Sequence, residues 1–402
     1  MNRIEKLIQE HCPDGVPFDR IINLARRNQG IPITAAKMRS LDSANGTVKV
    51  FGAGQTVITA ERDKLGAAST ITEPSLLIKS RGYIDAEYCD FEFTHKNELW
   101  SYTFIDSRIE TKFVYYYFKT RRFDLQRIAR GKSVKLPQLA VRDIDELLVP
   151  VPPLEVQREI VKILDLFTEL EAELEAELEA RRKQYEYYRD QLLTFPEDGG
   201  ANWVELGSVG AFVRGKGIQK IDLRAAGRPA IHYGQIHAHY GVKANCSISF
   251  VEEETYRRSS LAQHGSLVIA TTSEDDQDVG KAVVWLGNHK AAVSGDAVIF
   301  QHELEPRFVA HFFRSSSFHL QKRRWITGAK VRRISPASLA KIRIPKPSLQ
   351  EQTRVADVLD KFDALVNDLS SGLPAEIEAR RKQYEYYRDK LLSFKELESE
   401  AA

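Results

Sequence analysis

EARRKQYEYYRD at Glu179–Asp190 recurs letter for letter at Glu378–Asp389, and each copy runs on into LLxF, ending at Phe195 and Phe394. An identity of this length within one chain is a duplication, and a duplication constrains architecture before any single motif does. The match extends upstream. Val149-Pro150-Val151-Pro152 aligns with Ile344-Pro345-Lys346-Pro347, Gln157 with Gln352, and Ile163-Leu164-Asp165 with Val358-Leu359-Asp360. Further back, Phe113-Val114 aligns with Phe308-Val309, Phe118 with Phe313 and Phe123 with Phe318. The chain therefore reads as two halves, each a variable domain of about 150 residues feeding a repeated helical segment.

The segment after Pro153 reads as one long helix. It holds no Gly or Pro before Pro196 and is rich in the helix formers Glu, Ala, Leu, Arg and Lys. Its apolar stripe passes through Ile160, Ile163, Phe167, Leu170, Leu174, Leu178, Tyr185, Tyr188 and Leu192. The second copy offers Val355, Leu359, Phe362, Val366, Leu369, Leu373, Ile377, Tyr384, Tyr387 and Leu391. Steps of three and four make a coiled-coil seam, interrupted in each copy by a stutter of two four-residue steps. At ~1.5 Å per residue the helix reaches roughly 60 Å. Gly372 and Pro374 should break or kink the second copy midway. Two seams of matching length pair most simply with each other, and chain geometry makes that pair antiparallel. Pairing with helices of a partner protein is the other arrangement the seams allow.

The variable halves are α/β by pattern. Runs such as TVKVFGAGQTVIT, SLLIK, SLVIA, KAVVWL and DAVIF predict strands, followed by helices over Lys112–Ala129 and Arg307–Arg324. A short strand ending in Pro then leads into each long helix. The expected fold class is α/β (α+β): two globular α/β domains separated by two long antiparallel helices forming a coiled coil, with a pseudo-two-fold internal repeat. The expected boundaries are 1–150 for the first domain, 151–196 for the central helix, 197–345 for the second domain and 346–402 for the distal helix.

Composition excludes several classes. With 43% hydrophobic and 28% charged residues, and no apolar run near the roughly 18 residues that span a bilayer, the chain reads as a cytoplasmic globular protein. Its start, MNRIEKLIQEHCPDG, has no signal-peptide apolar core. Cys12, Cys89 and Cys246 are far apart and form no CxxC, so neither a disulfide framework nor a zinc site is expected.

The net charge of +2 conceals strong local polarity. From Lys119 to Lys135 seven basic residues face one acid, Asp124, while Lys322–Arg333 carries six basic residues and no acid. Two such runs at homologous positions, each with aromatics nearby, point to contact with nucleic-acid phosphates. The DNA-binding candidates are Arg26, Arg27, Lys37, Arg39, Lys79, Arg81, Arg121, Arg122, Arg130, Lys132 and Lys135 in the first half. In the second they are Arg214, Lys216, Lys220, Arg323, Arg324, Lys330 and Arg332. The helix-pairing candidates are Ile160, Phe167, Leu174, Leu178, Tyr185, Leu192, Phe362, Leu369, Ile377, Tyr384 and Leu391.

Motifs for chemistry fail one by one. Gly210-x4-Gly215-Lys216 imitates a phosphate-binding loop, but Gly217 stands where a Ser or Thr should bind magnesium. Gly131-Lys132-Ser133 lacks the earlier glycine of such a loop. Phe51-Gly52-Ala53-Gly54 has the wrong spacing for a methyltransferase cofactor loop, and no NPPY or DPPY tetrad occurs. Asp90 with Glu110-Thr111-Lys112 has nuclease-like spacing, yet Glu-x-Lys is too common to carry weight. His232, His237 and His239 lack a supporting carboxylate pattern and read as surface or core histidines. No catalytic, cofactor-binding or metal site is expected.

The whole pattern resembles the specificity subunits of type I restriction-modification enzymes. The resemblance rests on the duplicated helices, the QYEYYRDxLLxF closings at Gln184–Phe195 and Gln383–Phe394, and the VPxP and IPxP entries at Val149 and Ile344. GVPFDRIINL at Gly15–Leu24, W-VELGSV at Trp203–Val209 and GSLVIATT…VGK in the second half add to it. It is most similar to the branch with tandem four-residue repeats in the central helix, here Glu171–Leu174 and Glu175–Leu178. The resemblance implies that each variable domain is a target-recognition domain binding one half of a bipartite, asymmetric double-stranded DNA target. The helices would set the spacer and dock two methyltransferase (M) subunits, with restriction/translocase (R) subunits joining. S-adenosylmethionine, ATP and magnesium would belong to those partners. The second helix departs from the pattern, with no EAEL repeat and a Gly-Leu-Pro interruption at Gly372–Pro374. Two other classes of function stay open: a self-contained restriction or methylation enzyme with fused recognition domains, and a coiled-coil protein scaffold.

Overall fold

In the computed structural model, residues 3–52, 54–65, 70–132, 135–196, 201–368 and 371–397 are described, with residue 132 described for its backbone only. The chain forms two compact units. One comprises Met1–Ala172 with Ala379–Ala402, the other Glu173–Glu378. The helical segments expected as bodies of their own, 151–196 and 346–402, are thus divided, so that each unit holds part of both copies. Among the described residues no helix is long and apolar enough to cross a membrane.

The two globular parts repeat one topology. In the first unit, strands Ala25–Asn28, Trp100–Phe104, Ser75–Lys79 and Asp85–Cys89 lie side by side in that order. In the second, Gly210–Arg214, Ala297–His302, Leu267–Ala270 and Ala282–Trp285 follow the same order, extended by Lys243–Ala244. A second sheet recurs likewise. Val48–Phe51 pairs antiparallel with Val57–Ala60 and parallel with Phe93–His95. Arg228–Ile231 pairs antiparallel with Ser249–Val251 and parallel with Ala291–Val293. The predicted strand runs therefore form strands, all four residues of Leu267–Ala270 and of Ala282–Trp285 being buried, as continuous apolar runs require.

The first predicted domain helix forms over Thr111–Lys132. The second, expected over Arg307–Arg324, is instead two helices, Pro306–Phe312 and Ser316–Lys322, followed by a 3-10 turn at Arg323–Trp325. The break has a local cause. The Ser315 hydroxyl accepts the Phe318 N–H and caps a new helix start.

The first long helix spans Leu154–Leu192, 39 residues. The second copy is Leu349–Asn367 and Gly372–Leu391. The interruption is built on Gly372, whose φ of +76° is left-handed and where a Cβ would lie 2.6 Å from the carbonyl oxygens of Ala364 and Leu365. Only glycine fits that backbone. Pro374 falls in the first turn of the restarted helix, where its missing N–H costs nothing.

Within the first unit the copies pair antiparallel. Phe167 packs on Tyr384 and Tyr387, with ring centroids 6.3 and 5.7 Å away. One turn further along the first helix and one turn back along the second, Glu171 accepts a bond from Arg381 at 2.5 Å. Val156, Ile160, Leu164 and Leu391 are buried in the core that holds Tyr102, Phe113 and Phe118. In the second unit Tyr188 stacks on Phe362 at 5.8 Å, and Val355, Leu359 and Val366 share a core with Phe300 and Phe308. Leu178 and Leu192 pack on that core half-buried, and Leu174 is half-buried too. Tyr185 is buried but turns toward the globular part, its hydroxyl 3.2 Å from His311 Nδ1. Ile377 is buried. Leu170, read as part of the stripe, is exposed, and Leu369 lies outside the described residues.

Two pairs of repeated polar side chains fasten each long helix to its globular domain. Gln157 donates to the carbonyls of Pro152 and Arg108 and accepts the Glu110 N–H; Gln352 donates to Pro347 and accepts the Glu305 N–H. Both are buried. Asp165 accepts from Lys112 at 2.9 Å and Tyr116 at 2.5 Å. Its counterpart Asp360 accepts from Lys243 at 2.7 Å, His311 at 2.9 Å and Arg307 at 3.2 Å. Burial pushes the Asp360 carboxyl up, but the bonds from His311 and Lys243 outweigh it and hold the group below the usual carboxylate range.

A carboxyl depressed by folding stabilises the fold above its unfolded value, near about pH 4, and that contribution is lost as pH falls below it. Asp360→Asn should therefore lower stability at neutral pH by about 2 kcal/mol. In urea unfolding followed from pH 6 to pH 2, its difference from the parent should shrink below about pH 4; a difference constant with pH would contradict this role for Asp360.

Candidate nucleic-acid interface

Four of the basic candidates of the first unit, Arg81, Arg122, Arg130 and Lys135, lie on or beside the Thr111–Lys132 helix. There Gln126 accepts the Ile84 N–H and donates to the Gly82 carbonyl, which holds the 80–84 loop against the helix. Gly82 N–H bonds Pro137, and Leu139 N–H bonds Ser80, so the 135–139 segment joins the same cluster. These ties bring together Arg81, Arg122, Arg130 and Lys135. Arg122 lies 5.1 Å from the ring centroids of both Tyr83 and Phe123. Those rings are 62% and 73% exposed, so they line a surface where an arginine plane and two aromatic faces meet solvent. The Lys132 side chain is outside the described set.

Several candidates are engaged within the protein. Arg26 pairs with Glu73, Arg27 with Asp145 at 2.8 Å, and Lys79 with Glu87 at 2.7 Å. Arg81 approaches Glu98 at 3.5 Å and Arg121 approaches Asp124 at 3.5 Å. Lys37 and Arg39 lie apart from the cluster, exposed on the short helix Ala35–Leu41. Among the described residues no carboxylate lies within ion-pair distance of Lys37, Arg39, Arg130 or Lys135.

In the second unit Arg323 and Arg324 are exposed on the 3-10 turn and Lys330 on the loop after it. Arg332 lies in a two-residue strand that pairs with Thr272–Ser273 and bonds Asp276 at 2.9 Å. This pairing brings the basic 323–333 segment against the acidic loop 274–278. Lys216 and Lys220 are exposed near the other edge, and Arg214 lines a cavity of about 290 Å³ with Thr271, Asp296 and Arg333.

One basic residue of each run is not at the surface. Lys322 is 1% exposed and donates to the carbonyls of Gln277 and Val279 at 2.6 and 2.7 Å. Burial pulls its pKa down to about 8, against the opposing pull of Asp278, Asp275 and Asp276. Lys119 donates to Asp85 at 2.6 Å and to the Ala86 carbonyl at 2.9 Å. Both lysines hold strands and loops in place.

The apparent motifs dissolve into ordinary structure. Gly210–Arg214 is a strand, and no helix follows where a phosphate loop requires one. His237 Nε2 lies 2.9 Å from the Thr272 carbonyl, and His232 Nδ1 accepts the Gly234 N–H. Among the described residues no group of three or more His, Cys, Asp or Glu has metal-binding geometry. All three cysteines are free thiols.

A repeated two-sheet domain fastened to duplicated helices, with dense exposed arginine and lysine, defines a DNA-recognition class. The chain matches the model of the type I restriction modification DNA specificity domain twice, over residues 31–180 and 204–379, and belongs to that family. It is 30% identical over 362 residues to the EcoR124I/EcoR124II type I restriction enzyme specificity subunit of Escherichia coli, covering 87% of each chain. It is 32% identical over 299 residues to a putative type I specificity subunit of Haemophilus influenzae, covering 71% of this chain and 73% of that one. The crystal structure of the type I S subunit of M. genitalium shares the fold at TM-score 0.56 and 15% identity, covering 94% of this chain and 96% of that chain. A chain solved in work on complex assembly and conformational transition of the type I system matches at TM-score 0.60 and 17% identity, covering 95% and 98%. The chain is a DNA specificity subunit.

Lys322→Met should release the 274–280 loop. We expect amide exchange in that loop to rise at least tenfold, with a stability loss of about 1–3 kcal/mol for two charge-assisted bonds; exchange unchanged from the parent would show that Lys322 does not hold the loop.

Proposed function

We propose that each globular domain reads one half of a bipartite, asymmetric sequence in double-stranded DNA, and that the long helices set the spacer and dock two methyltransferase subunits. Restriction/translocase subunits join the same assembly, in the cytoplasm. S-adenosylmethionine, ATP and magnesium act in those partners, and this chain supplies recognition without catalysis.

The observation that carries the reading is repetition of scaffold without repetition of surface. Strand order, the glutamine clamps and the carboxylate anchors recur in both units. The surface residues do not: Tyr83, half-buried Arg122 and Phe123 mark the first unit, and Arg323, Arg324 and an acidic loop mark the second. Two copies of one frame with unlike contact residues suit two unlike half-sites. Arg, Asn and Gln in such positions make bidentate base contacts, and carboxylates accept from cytosine. The family match and the E. coli relative support the same reading.

Mapping methylated adenines in DNA modified by this chain with its methyltransferase partner tests it. The expected result is two unlike half-sites flanking a constant unspecified spacer; one contiguous motif, or identical half-sites, would overturn it.

The helix Leu154–Leu192 contains the repeat Glu171–Leu174 and Glu175–Leu178. Deleting Glu175–Leu178 removes ~6 Å of helix and about 40° of rotation. Against ~3.4 Å per base pair, the spacer should shorten by one or two pairs with both half-sites unchanged. Altered half-sites with an unchanged spacer would refute the spacing role.

Arg130→Gln and Lys135→Gln should each weaken binding to all sequences alike. Each should lower the slope of log affinity against log salt by about 0.9 per lost phosphate contact. Arg27→Gln, whose parent residue is already paired to Asp145, should change that slope less.

A further inference from the structure

The second unit contains a cavity of about 800 Å³ between the end of the first long helix, the acidic loop and the helix Ser316–Lys322. Five basic side chains line it, Arg189, Lys281, Arg314, Lys322 and Arg323, against the three carboxylates Glu186, Asp276 and Asp278.

One of the three acids is engaged outside the cavity. Asp276 bonds Arg332 at 2.9 Å, and Asp278 stands 3.9 Å from His237. Two of the five cations are held by neutral acceptors that leave their charge uncancelled. Lys281 donates to the His237 carbonyl at 2.8 Å, and Lys322 donates to two carbonyls. Arg314 reaches Asp363 only at 3.9 Å, and its buried Nε has no partner. Arg189 bonds Asp190 at 3.2 Å. For Arg323 no carboxylate lies within ion-pair distance among the described residues. His319 also lines the cavity, and its imidazole is pushed down to about 4, first by burial and then by Lys322 and Arg189.

The first unit provides an internal control. In the alignment that pairs Phe118 with Phe313 and Phe123 with Phe318, the positions of Arg314, His319 and Arg323 are taken by Lys119, Asp124 and Ile128. Lys119 is neutralised by Asp85, and Asp124 is itself an acid paired with Arg127. Lys322 and Arg189 correspond to Arg127 and Arg388, so what the first unit lacks is Arg323, and it places an acid where His319 lies.

A concave site of this volume, lined by guanidinium and ammonium groups with unspent donors, is suited to a phosphate group: arginine forks match its oxygens and burial strengthens the attraction. We propose that this cavity binds a phosphate-bearing anion, with Arg314 and Arg323 as its principal ligands. The shared chemistry has two sources, a phosphodiester of bound DNA or a free phosphate compound. The proposal extends past half-site reading, because a free anion tests it without any DNA sequence.

The test titrates the full chain with pyrophosphate at low salt by calorimetry, then repeats the titration with duplex DNA present. Pyrophosphate should bind with one-to-one stoichiometry, and Arg314→Gln and Arg323→Gln should each weaken it at least tenfold. Selectively labelled His319 should show its pKa moving up on binding, since an anion favours the protonated ring. Competition by DNA would assign the site to a backbone phosphate; simultaneous binding would assign it to a free anion. Arg323 is exposed, so its variant stays interpretable if Arg314→Gln proves unstable. Absence of saturable binding at millimolar pyrophosphate, or equal affinity in parent and Arg323→Gln, overturns the proposal. Neither result would touch the bipartite reading, which adenine mapping decides separately.

Discussion

The antiparallel meeting of the two duplicated helix copies is the interaction on which the rest depends. The first unit is discontinuous in sequence, and the second, Glu173–Glu378, contains parts of both helix copies. The first unit closes only when Tyr384, Tyr387 and Leu391 of the second copy reach Phe167 and the core around Ile160 and Leu164. The second unit closes when Phe362, Leu359 and Val355 meet Tyr188 and Leu178. Apolar burial supplies the driving force, and the steps of three and four along each helix supply the geometry.

Polar contacts then fix how each globular domain attaches. A buried glutamine one turn into each long helix satisfies backbone groups from two other segments, which leaves little freedom at the entry. A carboxylate two turns later, Asp165 or Asp360, takes two donors from one face of the domain helix. These four side chains are the same in both halves, while the exposed loops differ. The loops around residues 80–84 and 274–280 can then differ between the halves without disturbing the frame. Buried Lys322 and half-buried Gln126 serve this division of labour by holding those loops from behind.

The architecture was legible because duplication is a property of letters. The helix copies, the strand runs and the break at Gly372–Pro374 all lie in local pattern, and each emerges in the structure. The rest depends on tertiary contacts. Leu170 fits the apolar stripe, yet nothing covers it, and Tyr185 fits the same stripe but serves His311. The helix written as Arg307–Arg324 breaks at Ser315 because its hydroxyl finds an N–H to cap, a choice that helix propensity alone does not decide. Among the basic residues, sequence marks charge but not its partner. Arg27 and Lys79 read like Arg130 and Lys135 until the folded chain brings Asp145 and Glu87 beside them. Lys322 sits within a run of six cations and is the one that is buried. The repeated Gln157 and Gln352 carried a usable signal, since identical polar residues at matching positions in a helix start imply a matching partner.

Cross-linking within the helix pair tests the central claim most directly. In a chain with exposed Cys246 replaced by Ser, cysteines are placed at Glu171 and Arg381, whose side chains meet at 2.5 Å. A short bis-maleimide should join them within single monomers at dilute concentration, giving a faster-migrating species that does not depend on protein concentration. Failure to link, or linkage only between separate chains, would mean that the two copies do not pair within one molecule, and the account of both units would be wrong.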